Sequence, residues 1–370
     1  AVPVRLLAAD LLHETGDLEG AADAYGTVLS LEPRNAQARM GLAKLAEQRG
    51  DPDSAMAHLR AATENAPDDA ATWDALSLLA LGRNEPALAI QALNRALSLN
   101  PGSAALLMRL CEAYARRDGG KEESRLSEAA LEALYDVLAV LLRAGFTAQT
   151  ASGFAEIARR NPDQVRARSQ LVFLSNYTSA ADPMTTVLEA KALGDALPRA
   201  DAPAPWWPAA DDPERRLRVG LVSDDFRFHV VRHFLLGFLK HVDRSRIEFF
   251  GYSSTQIQDA FTAQYKQVIR NWFDAETTGD ADLAQRIAAD RIDILIDLGG
   301  HTQRPRIGVF ARRPAPVQVT WLGYSGTTGV GEIDYILGDR FVTPEGSAGQ
   351  FSETPWPLPD AYLSYDPHRL

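Results

Sequence analysis

Cysteine is almost absent from this sequence. Cys111 is the only one, so no disulfide can form within the chain. This is typical of proteins from reducing compartments, and we expect a cytoplasmic location. Long apolar runs are missing as well, because none approaches the ~18 residues that a membrane-spanning helix needs. The N-terminal stretch AVPVRLLAAD turns polar too early for a signal peptide, so we expect no membrane association.

A basic excess is also lacking. The formal net charge is −11, whereas a nucleic-acid-binding protein would carry a surplus of lysine and arginine. The 370 residues are too many for one typical core, so two or three structural units are expected. The first residue is alanine rather than methionine, and we expect further residues before it.

The first hundred residues are rich in alanine and leucine, which favours helices. Four sets of residues recur at a spacing of 34: Pro33, Pro67 and Pro101; Gly16, Gly50 and Asn84; Ala21, Ala55 and Ala89; Tyr25, Leu59 and Leu93. A period of about 34 residues is typical of tetratricopeptide repeats. The glycine column predicts the turn within each helix pair, the alanine column a close helix contact, and the proline column the end of the second helix.

The repeat pattern weakens after residue 118. Gly145, Phe154 and Pro162 keep the spacing of Gly16, Tyr25 and Pro33, which indicates a degenerate repeat. We therefore predict a helical domain over 1–196, regular over 1–118 and degenerate over 119–180, closed by a helix in VRARSQLVFLSNYTSAAD. Its groove would bind protein or peptide partners, or the array would only pack against its neighbour.

A change of composition follows. Residues 197–216 contain five prolines and the pair Trp206–Trp207, which predicts a linker pinned by the tryptophans. Beyond it, short β-branched runs alternate with helical patterns, which predicts a parallel, doubly wound sheet over 217–345. In such sheets ligands bind beyond the carboxyl ends of the strands, which selects the loops 223–231, 299–306 and 322–331.

The stretch VGLVSDDFRFHVVRHF, residues 219–234, contains two histidines and two acids but does not indicate a metal site. His229 and His233 have the spacing of some zinc ligands, but no glutamate lies between them and Arg232 would repel a cation. Asp224 and Asp225 are neighbours, so on an extended chain their side chains point to opposite sides and cannot share an ion. We predict no metal here.

A phosphate-binding loop is also not indicated, because no glycine-rich pattern follows the first strand. Two interpretations of the loop remain open from spacing alone. Asp225 and His229 form an acid/base pair, or Asp225 caps a helix and His229 fills a gap in the core. LGGHTQRPR at 298–306 and WLGYSGTTG at 321–329 bring glycines, arginines and hydroxyls to the same predicted edge.

Repeats followed by LRVGLVSDDFRFHVVRHF and RPAPVQVTWLGYSGTTG resemble the protein O-linked N-acetylglucosaminyltransferase family, its bacterial members in particular. The resemblance implies a GT-B glycosyltransferase with two Rossmann-like halves, of which this chain holds the first. It implies an inverting reaction without metal or cofactor. UDP-GlcNAc would be the donor, and Ser or Thr hydroxyls of proteins held by the repeats would be the acceptors.

The resemblance also implies roles for individual residues. Asp225 and His229 fall on catalytic positions, whereas Asp224 and His233 are interpreted as structural. The substrate-binding positions are Leu322, Gly323 and Tyr324 on the sugar side, and His301, Thr302 and Arg306 on the acceptor side. His301 and Gln303 stand where animal members have Tyr and Lys.

In that family a second catalytic domain grips the diphosphate. We expect residues 346–370 to start the link to such a domain and the chain alone to be inactive. A homodimer is a further possibility for a repeat array. Two rival hypotheses remain: a protein-binding scaffold with a vestigial catalytic half, and a related transferase that uses another UDP-sugar.

Overall fold

In a computed structural model the chain divides into two compact units, Ala1–Pro162 and Asp163–Leu370. The residues described are 2–120, 124–177, 182–201, 214–302 and 304–365. Trp206, Trp207 and Gln303, which carried sequence-based predictions, lie outside them.

The first unit is built from helices. Those described are α1 (Val2–Glu14), α2 (Leu18–Leu31), α3 (Ala36–Gln48), α4 (Pro52–Asn65), α5 (Ala70–Gly82), α6 (Pro86–Leu99), α7 (Ala104–Arg117), α8 (Glu128–Arg143) and α9 (Thr147–Arg160). Side-chain oxygens cap several of their N-termini, as when Asp17 accepts from the backbone N–H of Gly20.

The predicted repeat geometry is confirmed. Backbone φ is positive at Gly16 (87°), Gly50 (72°) and Asn84 (56°), so each turn uses the left-handed conformation that glycine and asparagine adopt most readily. The members of the alanine column are all fully buried. α2, α4 and α6 each end two residues before the proline of their repeat. The degenerate repeat follows the same plan, since Gly145 has φ 87° and Phe154 is buried.

The second unit begins with two helices, α10 (Val165–Ser175) and α11 (Pro183–Asp195). The sequence suggested that the first of them closes the repeat array, within a domain ending at 196. The contacts instead group both helices with the sheet. The physical reason is backbone contact: a Cβ on Gly194 of α11 would lie 2.0 Å from the carbonyl oxygen of Gly329.

A parallel sheet forms the centre of this unit. Its described strands are β1 (Leu217–Ser223), β2 (Ile247–Ser253), β3 (Asn271–Asp274), β4 (Ile294–Asp297), β5 (Val317–Thr320), β6 (Tyr335–Gly338) and β7 (Thr354–Pro357). They lie in the order β3-β2-β1-β4-β5-β6-β7 and every pair is parallel. The remaining described helices are α12 (Arg232–His241), α13 (Ala260–Val268), α14 (Asp280–Ala289), α15 (Ile307–Phe310) and the 3-10 turn Ser347–Gln350.

Alternation along the strands sends side chains to two cores. Leu221 and Phe249 pack with residues of α12 and α13 on one face, whereas Val222 and Leu295 pack with residues of α11, α14 and α15 on the other. A parallel sheet covered by helices on both faces is a Rossmann-like arrangement, so the predicted fold class is confirmed.

One edge strand differs from the sequence-based predictions. β7 lies beyond the predicted end of the sheet at 345, in residues assigned to a link. β7 contains Pro355 and Pro357, which a strand tolerates at an edge. At the two ends of the pairing with β6, the N–H of Thr354 donates to the carbonyl of Asp334 and the N–H of Leu358 donates to that of Gly338.

Candidate active site

The three predicted loops leave neighbouring strands at one edge of the sheet. β1 pairs with β4, and β4 pairs with β5, all parallel. Their carboxyl ends therefore meet at the same edge, and the predicted loops 223–231, 299–306 and 322–331 follow these ends. This edge is the place where the fold positions the candidate side chains.

The loop after β1 holds Asp225 in a fixed position. Its backbone N–H donates to Ser223 Oγ at 2.9 Å. Phe226 next to it is fully buried against Tyr265, with ring centroids 5.0 Å apart. Two residues on, the backbone N–H of Phe228 donates to the Asp259 carboxylate at 2.6 Å.

Asp225 and His229 are in direct contact. His229 Nδ1 lies 3.4 Å from Asp225 Oδ2, and the other carboxylate oxygen lies 3.3 Å from an Arg227 nitrogen. Burial raises the pKa of the Asp225 carboxyl, against the His229 and Arg227 charges. Burial lowers the pKa of His229, although Asp225 opposes that shift. The imidazole is therefore neutral near pH 7, as a general base must be.

The tautomer of His229 decides which nitrogen is basic. Nδ1 also lies 3.4 Å from the backbone N–H of Val231, which can donate to it. When Nδ1 instead carries the proton and points it at Asp225, Nε2 becomes the free acceptor. The side chain of His229 is 33% exposed, so this nitrogen can reach a substrate.

Asp224 faces a different set of charges. Burial and the neighbouring Asp225 raise its pKa to about 7, against the pull of Arg227, Arg304 and Arg166. Asp224 also acts on Arg306, whose pKa is lowered mainly by burial. The loop after β1 and the loop after β4 thus share one charge cluster.

The loop after β4 is pinned by Asp297, which is fully buried. Its carboxylate accepts from the backbone N–H groups of Gly299 (3.1 Å) and Gly300 (2.8 Å) and from Thr320 Oγ1 (3.1 Å). Burial raises its pKa to about 6 in spite of these donors. Asp297 was not predicted from the sequence, since it is the last position of an apolar strand and one of its partners, Thr320, lies on the neighbouring strand β5.

His301 is buried rather than presented to a substrate. Its side chain has no exposed surface, its Nδ1 lies 2.7 Å from Ser169 Oγ, and its ring meets Tyr324 edge-on at 5.3 Å. Burial lowers its pKa to about 4. The direct substrate contact predicted for His301 is therefore corrected: it ties α10 to the loop after β4.

Thr302 and Arg306 hold the same loop. Thr302 Oγ1 donates to the carbonyl of Gly299 at 2.7 Å. Arg306 donates to the carbonyl of Thr278 at 2.8 Å, and its Nε lies 3.2 Å from the carboxylate of Asp280. Both side chains are partly exposed, but their described contacts are within the protein.

The loop after β5 is strained and closely packed. Leu322 has φ +82°, a conformation that costs a non-glycine residue about 1–3 kcal/mol. Gly323 allows no side chain, because a Cβ there would lie 2.1 Å from the carbonyl oxygen of Leu298. Tyr324 is buried, and its hydroxyl accepts from Asn176 Nδ2 at 3.1 Å. Strain of this kind is common in functional loops.

Glu353 anchors the far end of that loop and was also missed from the sequence. Its buried carboxylate accepts from Thr327 Oγ1 and from the backbone N–H of Thr328, both at 2.8 Å. Thr328 Oγ1 donates to it as well. The hydroxyl-rich GTTG segment therefore serves partly to fix the loop to Glu353, the residue that precedes β7.

A cavity of about 340 Å³ opens between this loop and α10 and α11. Polar groups of Asn176, Ser325, Thr327 and Gln350 line it, together with Tyr324. The apolar wall is formed by Pro183, Val187, Val342 and Phe351. Seven of the twelve residues that line the cavity are polar, so it offers more hydrogen-bonding groups than most small-ligand pockets do.

The predicted site residues thus do not all lie together. Asp225 and His229 touch each other, and Leu322 packs with Phe226 and Leu298 in one apolar cluster.

Within the described parts of the chain, no three His, Cys, Asp or Glu side chains are grouped as metal ligands would be. In those same parts no helix is long and apolar enough to cross a membrane.

Comparison with known proteins gives two family matches. Residues 202–369 match the model of glycosyl transferase family 41, and residues 4–79 match a tetratricopeptide repeat model. The probable UDP-N-acetylglucosamine–peptide N-acetylglucosaminyltransferase SPINDLY of Arabidopsis thaliana is 36% identical over 165 residues, which is 44% of this chain and 18% of that protein. The UDP-N-acetylglucosamine–peptide N-acetylglucosaminyltransferase of Caenorhabditis elegans is 36% identical over 156 residues, 42% of this chain and 13% of that protein.

A solved structure is similar over more of the chain. An O-GlcNAc transferase mutant from Thermobaculum terrenum has 31% identity and a TM-score of 0.58, and the match covers 89% of this chain and 58% of that one. By contrast, the matches to SPINDLY and to the nematode enzyme span less than a fifth of the length of those two proteins. The two family matches thus fall on different parts of the chain, with similarity to tetratricopeptide repeats at 4–79 and to glycosyl transferase family 41 at 202–369.

Proposed function

We propose that the full-length protein containing this chain is an inverting glycosyltransferase that moves GlcNAc from UDP-GlcNAc to Ser or Thr hydroxyls of proteins. The observation that carries the proposal is the Asp225–His229 contact at the carboxyl edge of a family 41 sheet. The relatives named above bear the names of peptide N-acetylglucosaminyltransferases, which supports this donor and this class of acceptor.

In the proposed reaction the acceptor hydroxyl attacks the anomeric carbon of the sugar. The bond from that carbon to the diphosphate oxygen breaks, and UDP leaves with the electron pair. The hydroxyl proton passes to Nε2 of His229 as the new bond forms. Asp225 holds Nδ1–H and stabilises the imidazolium, and Arg227 keeps the carboxylate ionised.

The cavity beside Tyr324 is the proposed sugar site. Its volume of about 340 Å³ lies at the lower end of small-ligand pockets, which suits a single sugar ring. Asn176, Ser325 and Thr327 offer amide and hydroxyl partners for sugar hydroxyls, while Val187 and Phe351 offer apolar contact. Leu322 and Gly323 shape the turn that leads into it.

We propose that no metal or cofactor takes part. The groups around the pair are Asp, His and Arg, and the Arg227 guanidinium beside Asp225 occupies the place that a cation would need. The repeats are the proposed recruiting surface for acceptor proteins.

The proposal is tested by mass spectrometry of acceptor protein incubated with the full-length protein and UDP-GlcNAc. We expect an N-acetylhexosamine on Ser or Thr. A hexose from UDP-glucose would identify a different sugar, and the absence of both UDP binding and transfer would favour a scaffold.

A further inference from the structure

Asp259 joins the loop that carries His229 to the start of another helix. It is the N-cap residue of α13, and it lies 31 positions after Phe228 in the chain. One of its carboxylate oxygens, Oδ2, accepts from the backbone N–H of Phe228 at 2.6 Å. Phe228 directly precedes His229, so this hydrogen bond reaches the loop one residue before the candidate base.

The two oxygens of this carboxylate have separate partners. Oδ1 caps α13 by accepting from the backbone N–H groups of Phe261 at 2.8 Å and of Thr262 at 3.0 Å. The N–H of Asp259 in turn donates to Thr262 Oγ1 at 3.2 Å, which completes a capping box. Since the cap uses Oδ1, the contact of Oδ2 with Phe228 is additional to what the helix requires.

This contact ties the middle of the loop to a separate element. The other hydrogen bonds of the described residues 227–230 lie within the loop or reach the start of α12. The ring of Phe228 also packs against that of Phe261, with the ring centroids 5.5 Å apart. The residue before His229 is therefore held against α13 both by its backbone and by its side chain.

Asp259 is ionised near neutral pH. Burial raises the pKa of its carboxyl, but the N–H groups of Thr262, Phe228 and Phe261 outweigh burial, so the pKa lies below its usual value. Hydrogen bonds to an ionised acceptor are stronger than those between neutral groups. The bond to Phe228 is therefore one of the stronger contacts of this loop.

A general base needs a fixed position. It must lie within hydrogen-bond distance of the proton that it takes, and a misplacement of about 1 Å can lower a rate about a hundredfold. Asp225 contacts the His229 ring at 3.4 Å, but it belongs to the same loop and moves with it. Asp259 belongs to a different element, and so its hydrogen bond fixes the loop against α13.

We infer that Asp259 is a positioning residue for the proposed transfer reaction and acts on His229 through the N–H of Phe228. This role rests on the proposed function, because it requires that His229 takes the acceptor proton. The contact with Phe228 does not depend on that function and can be measured without a substrate.

Asp259→Asn separates the two tasks of this side chain. An amide has one acceptor oxygen, and asparagine caps helices about as well as aspartate does. The oxygen faces the two donors of the cap, which leaves the NH₂ group against the N–H of Phe228. Asp69→Asn is the matched control, because Asp69 caps α5 by accepting from the N–H of Ala71 at 3.1 Å.

Hydrogen exchange measures the contact in the full-length protein. Isotope-labelled phenylalanine reports both Phe228, which reflects the link, and Phe261, which reflects the cap. In Asp259→Asn we expect the Phe228 amide to exchange about tenfold or more faster and the Phe261 amide to change less than about threefold. The NMR signals of the His229 ring should shift as well. Asp69→Asn should leave both amides and the ring unchanged.

Kinetics measure the role in transfer. We expect Asp259→Asn to lower kcat about tenfold or more. The KM for the donor should change less than about twofold, because Asp259 does not line the proposed sugar cavity. Combined with His229→Gln, it should cause no further loss, because a residue that acts through His229 then has nothing left to position.

An unchanged exchange rate of Phe228 in Asp259→Asn would overturn the inference. So would a loss that adds to that of His229→Gln in the double variant, or an equal loss of kcat in Asp69→Asn. If the wild type transfers no sugar while the Phe228 amide and the His229 ring still depend on Asp259, the proposed function alone is contradicted, and the positioning of His229 by Asp259 stands.

Discussion

His229 Nδ1 and Asp225 Oδ2 lie 3.4 Å apart at the end of β1, in a loop whose other contacts leave the imidazole partly exposed. Asp224 and Asp225 are both more than half buried, and burial raises the pKa of both carboxyl groups. Of these two residues, Asp225 is the one that contacts a histidine. The geometry favours the acid/base interpretation of this loop over the capping interpretation that the sequence left open. Asp225 caps no helix here, since α12 begins seven residues later.

The first prediction concerns this pair. In the full-length protein we expect His229→Gln to lower the transfer rate by about 10²–10⁴, because the acceptor proton loses its base. Asp225→Asn is expected to lower the rate too, since the imidazolium loses its partner. The Asp225 charge raises the pKa of His229, so its removal should also move the acid limb of the rate–pH profile to lower pH.

The control for that experiment is His241→Gln. His241 lies at the end of α12, where its Nδ1 is 2.8 Å from the carbonyl of Gly237. Unchanged rate is expected there. Transfer that survives His229→Gln would remove this residue from the mechanism, and an acid limb that moves to higher pH in Asp225→Asn would contradict the assigned contact.

The second prediction concerns the buried His301. Its pKa is lowered from 6.5 to about 4, so the folded protein keeps it neutral where the unfolded chain is protonated. Its contribution to stability is therefore present above pH 6.5 and is lost as the pH falls toward 4, a loss on the order of 3 kcal/mol. Asp297, with a pKa raised to about 6, works in the opposite direction over the same range.

Comparison of the wild type with His301→Tyr separates the contribution of His301 from that of Asp297, because Asp297 is present in both proteins. Urea unfolding of both proteins is measured at about pH 7 and about pH 4.5. We expect the free energy of unfolding of the wild type to fall relative to the variant as the pH is lowered. A constant difference between the two would show that His301 does not titrate differently in the two states.

The repeats and most strands could be predicted because their residues act locally. Gly16 and Asn84 adopt the same left-handed turn. The apolar run before Ser223 indicates a buried strand without any knowledge of the strands beside it. β3 and β7 could not be predicted in this way, since each is a short edge strand with little buried surface. Pro355 and Pro357 argue against a strand until its edge position is known.

The sequence predicts which loops form the candidate site, but not which residues of those loops are exposed and which are structural. His301 and His229 are both histidines near the end of a strand, and the sequence treats them alike. Their difference comes from α10, because Ser169 and Gln170 cover His301 from more than a hundred residues away. Glu353 was missed for the same reason, because its donors Thr327 and Thr328 lie about 25 residues away in the chain.

The third prediction concerns Gly323. A Cβ at this position would meet the carbonyl oxygen of Leu298 at 2.1 Å, and backbone cannot move aside as a flexible side chain can. We expect Gly323→Ala to lower the free energy of unfolding by at least about 3 kcal/mol. Gly331→Ala is the control, because a Cβ there meets nothing within 4 Å. Similar melting of both variants would contradict the close approach.

The fourth prediction compares two buried tyrosines on opposite faces of the sheet. The Tyr265 hydroxyl is buried and has no hydrogen-bond partner among the described residues, whereas the Tyr252 hydroxyl donates to Asp290 at 2.9 Å. An unpaired buried hydroxyl costs desolvation energy that nothing offsets. Tyr265→Phe should therefore raise the free energy of unfolding by about 1 kcal/mol, and Tyr252→Phe should lower it by about 1 kcal/mol.

Urea unfolding of the two variants and the wild type decides the matter, since each substitution removes one hydroxyl and leaves the ring in place. Because opposite changes are expected for Tyr265→Phe and Tyr252→Phe, each variant controls for any general effect of replacing tyrosine by phenylalanine. If Tyr265→Phe is destabilising instead, its hydroxyl is satisfied in solution, and a buried water is the partner with the right size and hydrogen bonds. Tyr265 packs on Phe226, next to Asp225, so such a water would lie behind the carboxylate that supports His229.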